Sequence, residues 1–416
     1  MQQKIAIIVE PGFMQHHVGV RNYLVAIHAL LSREHRVDWV SCERGHGGER
    51  RWFHVFPQPF GVDDAVQDDR VITGTPAEVL RQFQSGHRRH ATGQQADSWR
   101  TGIGSGLAVE GYDAIVISNP WLVDFESRLP ASRVLGIVYD LVPNQYVMTM
   151  PQSQKPFAFA AAHRRGFLHY REHCDAVLAI SSAVADEYAT MFRVDRSRVV
   201  AMPPVLPKTY ENVRRAENER RRRVVLASPF DRRKGLACMP AILNAARESI
   251  DTVSVYGGVR CSSQELRAFY QTLHVRHVEW YPNASAATVQ RLFLEAKALL
   301  FPSFDEGLGL PILEAQHCGC RVMTRDKQPM CELVGPGSNF LDGDLAATGA
   351  TLAQMVEEPF EHAGLQRWAD ERFGSQQVLD AFNAALTCPE PPDELPAVLP
   401  WSERRRGRPF TLEGRG

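Results

Sequence analysis

The sequence has almost no net charge: 47 Lys and Arg stand against 48 Asp and Glu, leaving −1 over 416 residues. A nucleic-acid-binding domain usually shows a clear basic excess, so no nucleic-acid partner is expected. Long apolar runs are also missing. None reaches the roughly 18 residues that a membrane-crossing helix needs, so any membrane contact is expected to be peripheral. The eight cysteines, at 42, 174, 238, 261, 318, 320, 331 and 388, form no C-x-x-C pair, which argues against a zinc ribbon. Cys318 and Cys320 flank one glycine, poor spacing for a metal, and are expected to be small buried residues. No G-x-G-x-x-G follows the first apolar run, so a nicotinamide dehydrogenase is disfavoured. No secretory leader is recognisable, and the thiols are expected to be reduced in a cytoplasm, with membrane contact, if any, at its inner face.

What is present is ordinary globular composition, 44% hydrophobic and 23% charged, in a chain long enough for two domains. Short apolar runs of strand length recur at 4–9, 36–42, 112–118, 133–140 and 176–181. Their near-continuous hydrophobicity suits strands buried on both faces. Helical patterns separate most of them, as in "SAVADEYATMF" after "AVLAIS". The alternation predicts a parallel sheet with helices on both sides. Residues 43–111 lack clear periodicity, and 87–106 reads as a long loop. The prolines and arginines of 203–223 read as a linker. Alternation restarts with strands at 224–228, 252–258, 277–282, 296–303 and 321–325 and helices at 236–249 and 285–296, the latter with Ser285 as N-cap. Two or three helices follow residue 345 and end near Thr387. The expected division is 1–205, 206–387 and an extended or poorly ordered tail at 388–416.

Two such halves predict a cleft, with ligands outside the carboxyl ends of the strands. "PSFDEGLGLPILEA" lies at such a place, between a strand and a helix. Pro311 suits the helix start and Gly319 its end. Gly307 and Gly309 permit close backbone approach. A helix start with free N–H groups attracts an anion. Glu306 in the loop and Glu314, expected in the first helical turn, are acceptors suited to sugar hydroxyls. A glutamate near a helix start is also favourable without any ligand. A second strand-to-helix loop, "SPFDRRKG", brings Arg232, Arg233 and Lys234, cations suited to a diphosphate, or else a solvated turn.

These pieces together resemble the retaining, GT-B-fold glycosyltransferases that carry an E-x7-E signature, formed here by Glu306 and Glu314. "DRRKG" resembles that family's phosphate-binding loop, "VGVRNYL" its first glycine loop, and "AVLAISSAVADEY" with "RVVAMPPVL" the closing strands of its first domain. The likeness runs in order through most of 1–387. It implies two Rossmann-like, doubly wound α/β domains facing across a cleft, an acceptor-binding one and a nucleotide-sugar-binding one. By the same likeness, Glu306 contacts the transferred sugar and Glu314 the ribose. Backbone around Gly307, Leu308, Gly309 and Leu310 approaches sugar and diphosphate, and Lys234 with Arg232 or Arg233 neutralises the leaving group without a metal or cofactor.

The pattern departs from the family at Ser228, where a cation is usual, and at Val18, where a second glycine often precedes Gly19. "VYDLVPNQY" resembles a subset that builds bacterial polysaccharides, mannosyltransferases included. Tyr139 and Asp140 then fall on the acceptor side, with Asp140 either orienting a hydroxyl or capping the next turn. His17, beside His16 ahead of the glycine loop, is a further acceptor-side candidate. Asp342 and Asp344 look like a metal-binding D-x-D but follow the wrong elements. The implied reaction is retaining transfer of a hexose, mannose from GDP-mannose as first choice, to a glycan or lipid-linked glycan acceptor. Alternatives are a nucleotide-sugar epimerase or phosphorylase, and a silent nucleotide-sugar-binding subunit.

Overall fold

The computed structural model describes residues 2–10, 18–44, 50–55, 71–87, 111–122, 128–146, 154–206, 220–392 and 394–398. His17 lies outside them, as do most of the 87–106 loop and the end of the tail. The chain divides into two compact units: Met1–Pro57, Arg100–Val205 and Ser375–Gly416 form one, Gln58–Trp99 and Leu206–Gly374 the other.

The first unit is built on a seven-stranded sheet, ordered β3-β2-β1-β5-β6-β7-β8. Its strands are β1 (Lys4–Ile8), β2 (Arg36–Arg44), β3 (Arg50–His54), β5 (Ala114–Ile117), β6 (Arg133–Val138), β7 (Ala176–Ala179) and β8 (Val199–Ala201). All pairs are parallel except β2–β3. The central strands are apolar at every position because helices cover both faces. Those helices are α1 (Val18–Leu31), α3 (Val142–Tyr146), α4 (Gln154–His173), α5 (Ser182–Phe192) and α12 (Ser375–Leu386). Ser181 caps α5 by accepting from the Val184 amide at 3.2 Å.

The second sheet also has seven strands, in the order β14-β13-β12-β9-β10-β11-β4. These are β4 (Ile72–Gly74), β9 (Arg221–Ala227), β10 (Thr252–Tyr256), β11 (Val278–Tyr281), β12 (Ala296–Phe301), β13 (Arg321–Thr324) and β14 (Asn339–Phe340). Only β4 runs antiparallel. The helices are α2 (Pro76–His87), α6 (Met239–Ala245), α7 (Ser263–Thr272), α8 (Ala286–Glu295), α9 (Leu310–His317), α10 (Leu345–Glu357) and α11 (His362–Arg372). Ser285 does cap α8, accepting from the Thr288 amide. Asp344 caps α10 by accepting from Ala346, a structural duty for half of the D-x-D look-alike.

The division differs from the expected one in two places, each with a physical reason. Helix α12 returns to the first unit because its face of Val378, Phe382 and Ala385 is buried there against β7 and β8. In the other direction, β4 and α2 come from the stretch that lacks clear periodicity and complete the second unit. Ile72 and Val79 are buried in its core, and the Phe83 ring lies 4.7 Å from that of Trp280. A three-residue strand has no readable period, so this excursion was silent in the sequence. Among the described residues, 388–392 and 394–398 carry no helix or strand.

Each sheet reverses its direction of winding once. In the first, the reversal falls between β1 and β5; in the second, between β9 and β12. The carboxyl ends of such a strand pair are where open α/β sheets take their ligands.

Candidate active site

Both loops that the sequence singles out follow the reversal pair of the second sheet. The loop after β9 ends in a 3-10 turn, Arg232–Lys234, started by Asp231, whose Oδ1 accepts from the Arg233 amide at 2.9 Å. Gly235 closes it at φ +81°, and a Cβ there would lie 2.4 Å from the Pro302 carbonyl. That contact demands glycine and presses the loop onto the end of β12. The Phe304 amide adds a hydrogen bond to the Arg233 carbonyl at 2.8 Å.

The result is a compact ion cluster. Lys234 Nζ donates to Glu306 Oε1 at 2.5 Å, and an Arg233 guanidinium nitrogen stands 3.0 Å from Glu306 Oε2. The Ser303 hydroxyl, fully buried, donates to Glu306 Oε1 at 2.6 Å. Burial alone would push the Glu306 carboxyl upward, but Lys234 and Arg233 outweigh it and hold the group below the usual carboxylate range. Burial pulls the Lys234 amine below its ordinary value, and Glu306 pulls it partly back. Arg232 takes no part. It turns outward to pair with Glu265, which also completes the capping box of α7 with Ser262. Of the two arginines, only Arg233 joins the Glu306 cluster.

Helix α9 begins beside this cluster. Gly309 is its N-cap at φ +106°, and Leu310 and Pro311 open the first turn. Leu308 is buried and Gly307 half-buried. Among the described residues, the amides of Leu308, Gly309 and Leu310 donate to no acceptor. Uncommitted N–H groups at a helix start suit an anion.

Glu314 sits in the second turn of α9, not the first as expected, because the helix starts at Leu310. It differs sharply from Glu306. No described residue bonds or pairs with its carboxyl group, and burial pushes its pKa up to about 7. Nearby, the hydroxyl of Tyr256 is buried and has no hydrogen-bond partner among the described residues. Ser228 adopts φ +46° at the end of β9, its amide bonded to the Tyr256 carbonyl. Its hydroxyl lies where a Cβ on Gly257 would stand, 2.3 Å away, so the two loops interlock only with glycine at 257. No described residue bonds that hydroxyl.

The first unit places its candidates less productively. Asp140 Oδ1 accepts from the Val142 amide at 3.0 Å, the turn-capping alternative. Tyr139 packs edge-on against Tyr23, and its hydroxyl is buried and has no hydrogen-bond partner among the described residues. Gly19 lies within the first turn of α1, exposed, where a loop was expected. Ser303 was missed altogether: a small polar residue at a strand end carries no signal in charge or period.

Residues 214–361 match the family model described as glycosyl transferases group 1. The match lies within the second unit and covers about a third of the chain. The O-antigen chain mannosyltransferase B of Escherichia coli is 32% identical over 85 residues, 20% of this chain and 22% of that protein, so the likeness spans about a fifth of the curated relative. Solved structures similar to the whole chain include Anabaena HepE in complex with UDP-glucose, at 14% identity and TM-score 0.57, covering 92% of this chain and 99% of that one. WaaG, a glycosyltransferase involved in lipopolysaccharide biosynthesis, gives 14% identity and TM-score 0.52 over 91% of this chain and 99% of its own. The galactosyltransferase WaaB gives 15% and 0.51, covering 92% and 99%. Fold and domain match together identify a GT-B architecture resembling the bacterial polysaccharide mannosyltransferases. Glu306, Glu314, Lys234 and Arg233 all lie inside the matched residues 214–361.

Proposed function

We propose that the chain is a retaining glycosyltransferase that moves a hexose from a nucleotide diphosphate sugar to a glycan acceptor in bacterial polysaccharide or lipopolysaccharide synthesis. The observation that carries the reading is the Glu306–Lys234–Arg233 cluster beside three uncommitted amides at the start of α9. Such a site takes a diphosphate: the amides and the two cations bind its oxygens, and the charge that develops on the leaving group meets preorganised donors. Glu306 then turns to the hydroxyls of the transferred sugar. Glu314, with no protein partner, accepts from the ribose hydroxyls.

The cations supply the charge stabilisation that a divalent ion supplies elsewhere, so transfer should survive chelation. The leaving phosphate oxygen takes the proton of the attacking hydroxyl on the face the donor bond leaves, which retains configuration. Mannose and GDP are the working choice, supported by the mannosyltransferase likeness over 85 residues.

A thermal-shift panel of GDP-, UDP- and dTDP-sugars tests the reading, followed by product analysis with the stabilising donor and a mixed glycan acceptor. Stabilisation by one donor class with an acceptor-dependent, chelator-resistant product of retained configuration supports it. Conversion of the donor without acceptor indicates an epimerase, and binding without turnover indicates a silent subunit.

A further inference from the structure

The first sheet has a reversal pair of its own, β1 and β5, and its carboxyl ends hold a cluster of different chemistry. Glu10 follows β1, and Trp121 lies in the Pro120–Leu122 turn that follows β5. Trp121 Nε1 donates to Glu10 Oε2 at 3.1 Å. Helix α4 lies directly against that turn: a Cβ on Gly166 would fall 1.8 Å from the Pro120 carbonyl, so only glycine permits the approach. One and two turns back on the same helix come His163 and Phe159. The His163 ring stacks 5.1 Å from Trp121, Phe159 lies 5.8 Å from Trp121, and the two α4 rings are 4.4 Å apart.

Two features go beyond packing. Phe159 is 44% exposed, one of only three large apolar side chains so exposed among the described residues, and it is the one packed at a tilt against an aromatic cluster. Glu10 is half-buried, and among the described residues its Oε1 accepts from no donor. The place therefore offers an apolar ring face beside a fixed carboxylate oxygen, at a sheet's ligand-binding edge.

We propose that this edge binds a pyranose ring. The C–H face of the sugar lies on Phe159 and Trp121, and Glu10 Oε1 accepts from one of its hydroxyls; the indole N–H fixes the carboxylate in place. A sugar meets both demands at once, apolar on one face and a hydroxyl donor at its edge. A lipid surface or an apolar protein face would leave the Glu10 carboxylate desolvated without a donor, and one exposed phenyl ring is far short of the area a stable protein interface covers. On the glycosyltransferase reading this sugar is the acceptor's; the binding itself stands independently of that assignment.

The test is saturation-transfer NMR on the full chain with the methyl α-pyranosides of mannose, glucose and galactose, alongside GDP and UDP. At least one pyranoside should receive saturation on its ring C–H protons. Phe159→Ala and Glu10→Gln should each weaken that pyranoside at least fivefold, Phe159→Tyr should restore binding, and nucleotide binding should be unchanged in all three. Absence of transfer to every pyranoside, or an unaltered signal in Phe159→Ala, overturns the proposal. So does loss of co-sedimentation with phosphatidylglycerol vesicles in Phe159→Ala while the pyranoside signal persists. Pyranoside binding of the expected kind in a protein that binds neither nucleotide supports this site and removes the donor reading instead.

Discussion

The two reversal pairs occupy the same position in sheets of the same winding, yet their edges are built from opposite materials. After β9 and β12 stands a charged cluster in which every oxygen of Glu306 has a donor and two cations share one carboxylate. After β1 and β5 stand packed rings and one carboxylate with an oxygen that, among the described residues, has no donor. The difference teaches what each edge is suited to meet. A diphosphate is recognised by fixed positive charge, and on the proposed reading Glu306 is the counter-ion that the donor would replace. A neutral sugar is recognised by area and by a few hydrogen bonds, which need no counter-ion.

Removing the counter-ion should have the largest effect. In Glu306→Ala, Lys234 and Arg233 lose their partner, so we expect transfer to fall by about a thousandfold or more and the fold to lose on the order of 3 kcal/mol. A transfer assay and a denaturant melt measure the two. Near wild-type transfer would dissolve the contrast between the edges. Lys234→Ala comes next: loss of one charge-assisted contact should weaken GDP or UDP binding by about 1.5–3 kcal/mol, read by calorimetry, while Phe159→Ala leaves it unchanged.

Glu314 sharpens the comparison through pH. Burial raises its pKa to about 7, above the ordinary 4.5. The neutral form is therefore favoured in the fold, and its contribution to stability is complete below about pH 4.5 and lost as pH rises through about 7. Ribose hydroxyls donate best to the ionised form, so affinity for a nucleotide diphosphate sugar should rise with pH through that same range. Glu314→Gln should flatten both profiles, in melting temperature and in calorimetric affinity, and lower the affinity several-fold above pH 7. A wild-type profile already flat from pH 5 to 8 would remove the case for an unpartnered acceptor. The smallest effect is expected for Arg232→Ala. Its side chain points to Glu265 and away from Glu306, so nucleotide affinity should stay within twofold of wild type; a larger loss would mean that the outward pairing is exchanged for ligand.

Much of this was legible before any coordinates. The parallel strands announce themselves as continuous apolar runs, because a strand covered on both faces cannot alternate. The placing of Lys234 and Glu306 on two strand-to-helix loops was readable, though their ion pair was not. What stayed hidden depends on geometry that composition does not carry. Three cations in a row look alike, and only the tight 3-10 turn sends Arg232 outward and Arg233 inward. Ser303 matters through its burial alone. The one-turn error over Glu314 arose because Pro311 fits the second helical position as readily as the first. The likeness of "VYDLVPNQY" to an acceptor loop did not foresee that Tyr139 faces Tyr23, while Glu10 and Trp121, spaced 111 residues apart, meet only once the sheet is wound.

The strand and helix at 72–87 have a consequence for how such a protein can arise and be divided. Strand β4 shields the edge of β11, pairing Thr73 with Glu279 and Ile72 with Trp280, although it is encoded between two strands of the other sheet. Helix α12 makes the reverse loan. Neither half can therefore be exchanged between relatives by one crossover in the gene: a recombinant joined near residue 206 inherits the guard of its second sheet from one parent and the sheet from the other. Each half thus depends on a fragment that the sequence places within the other half.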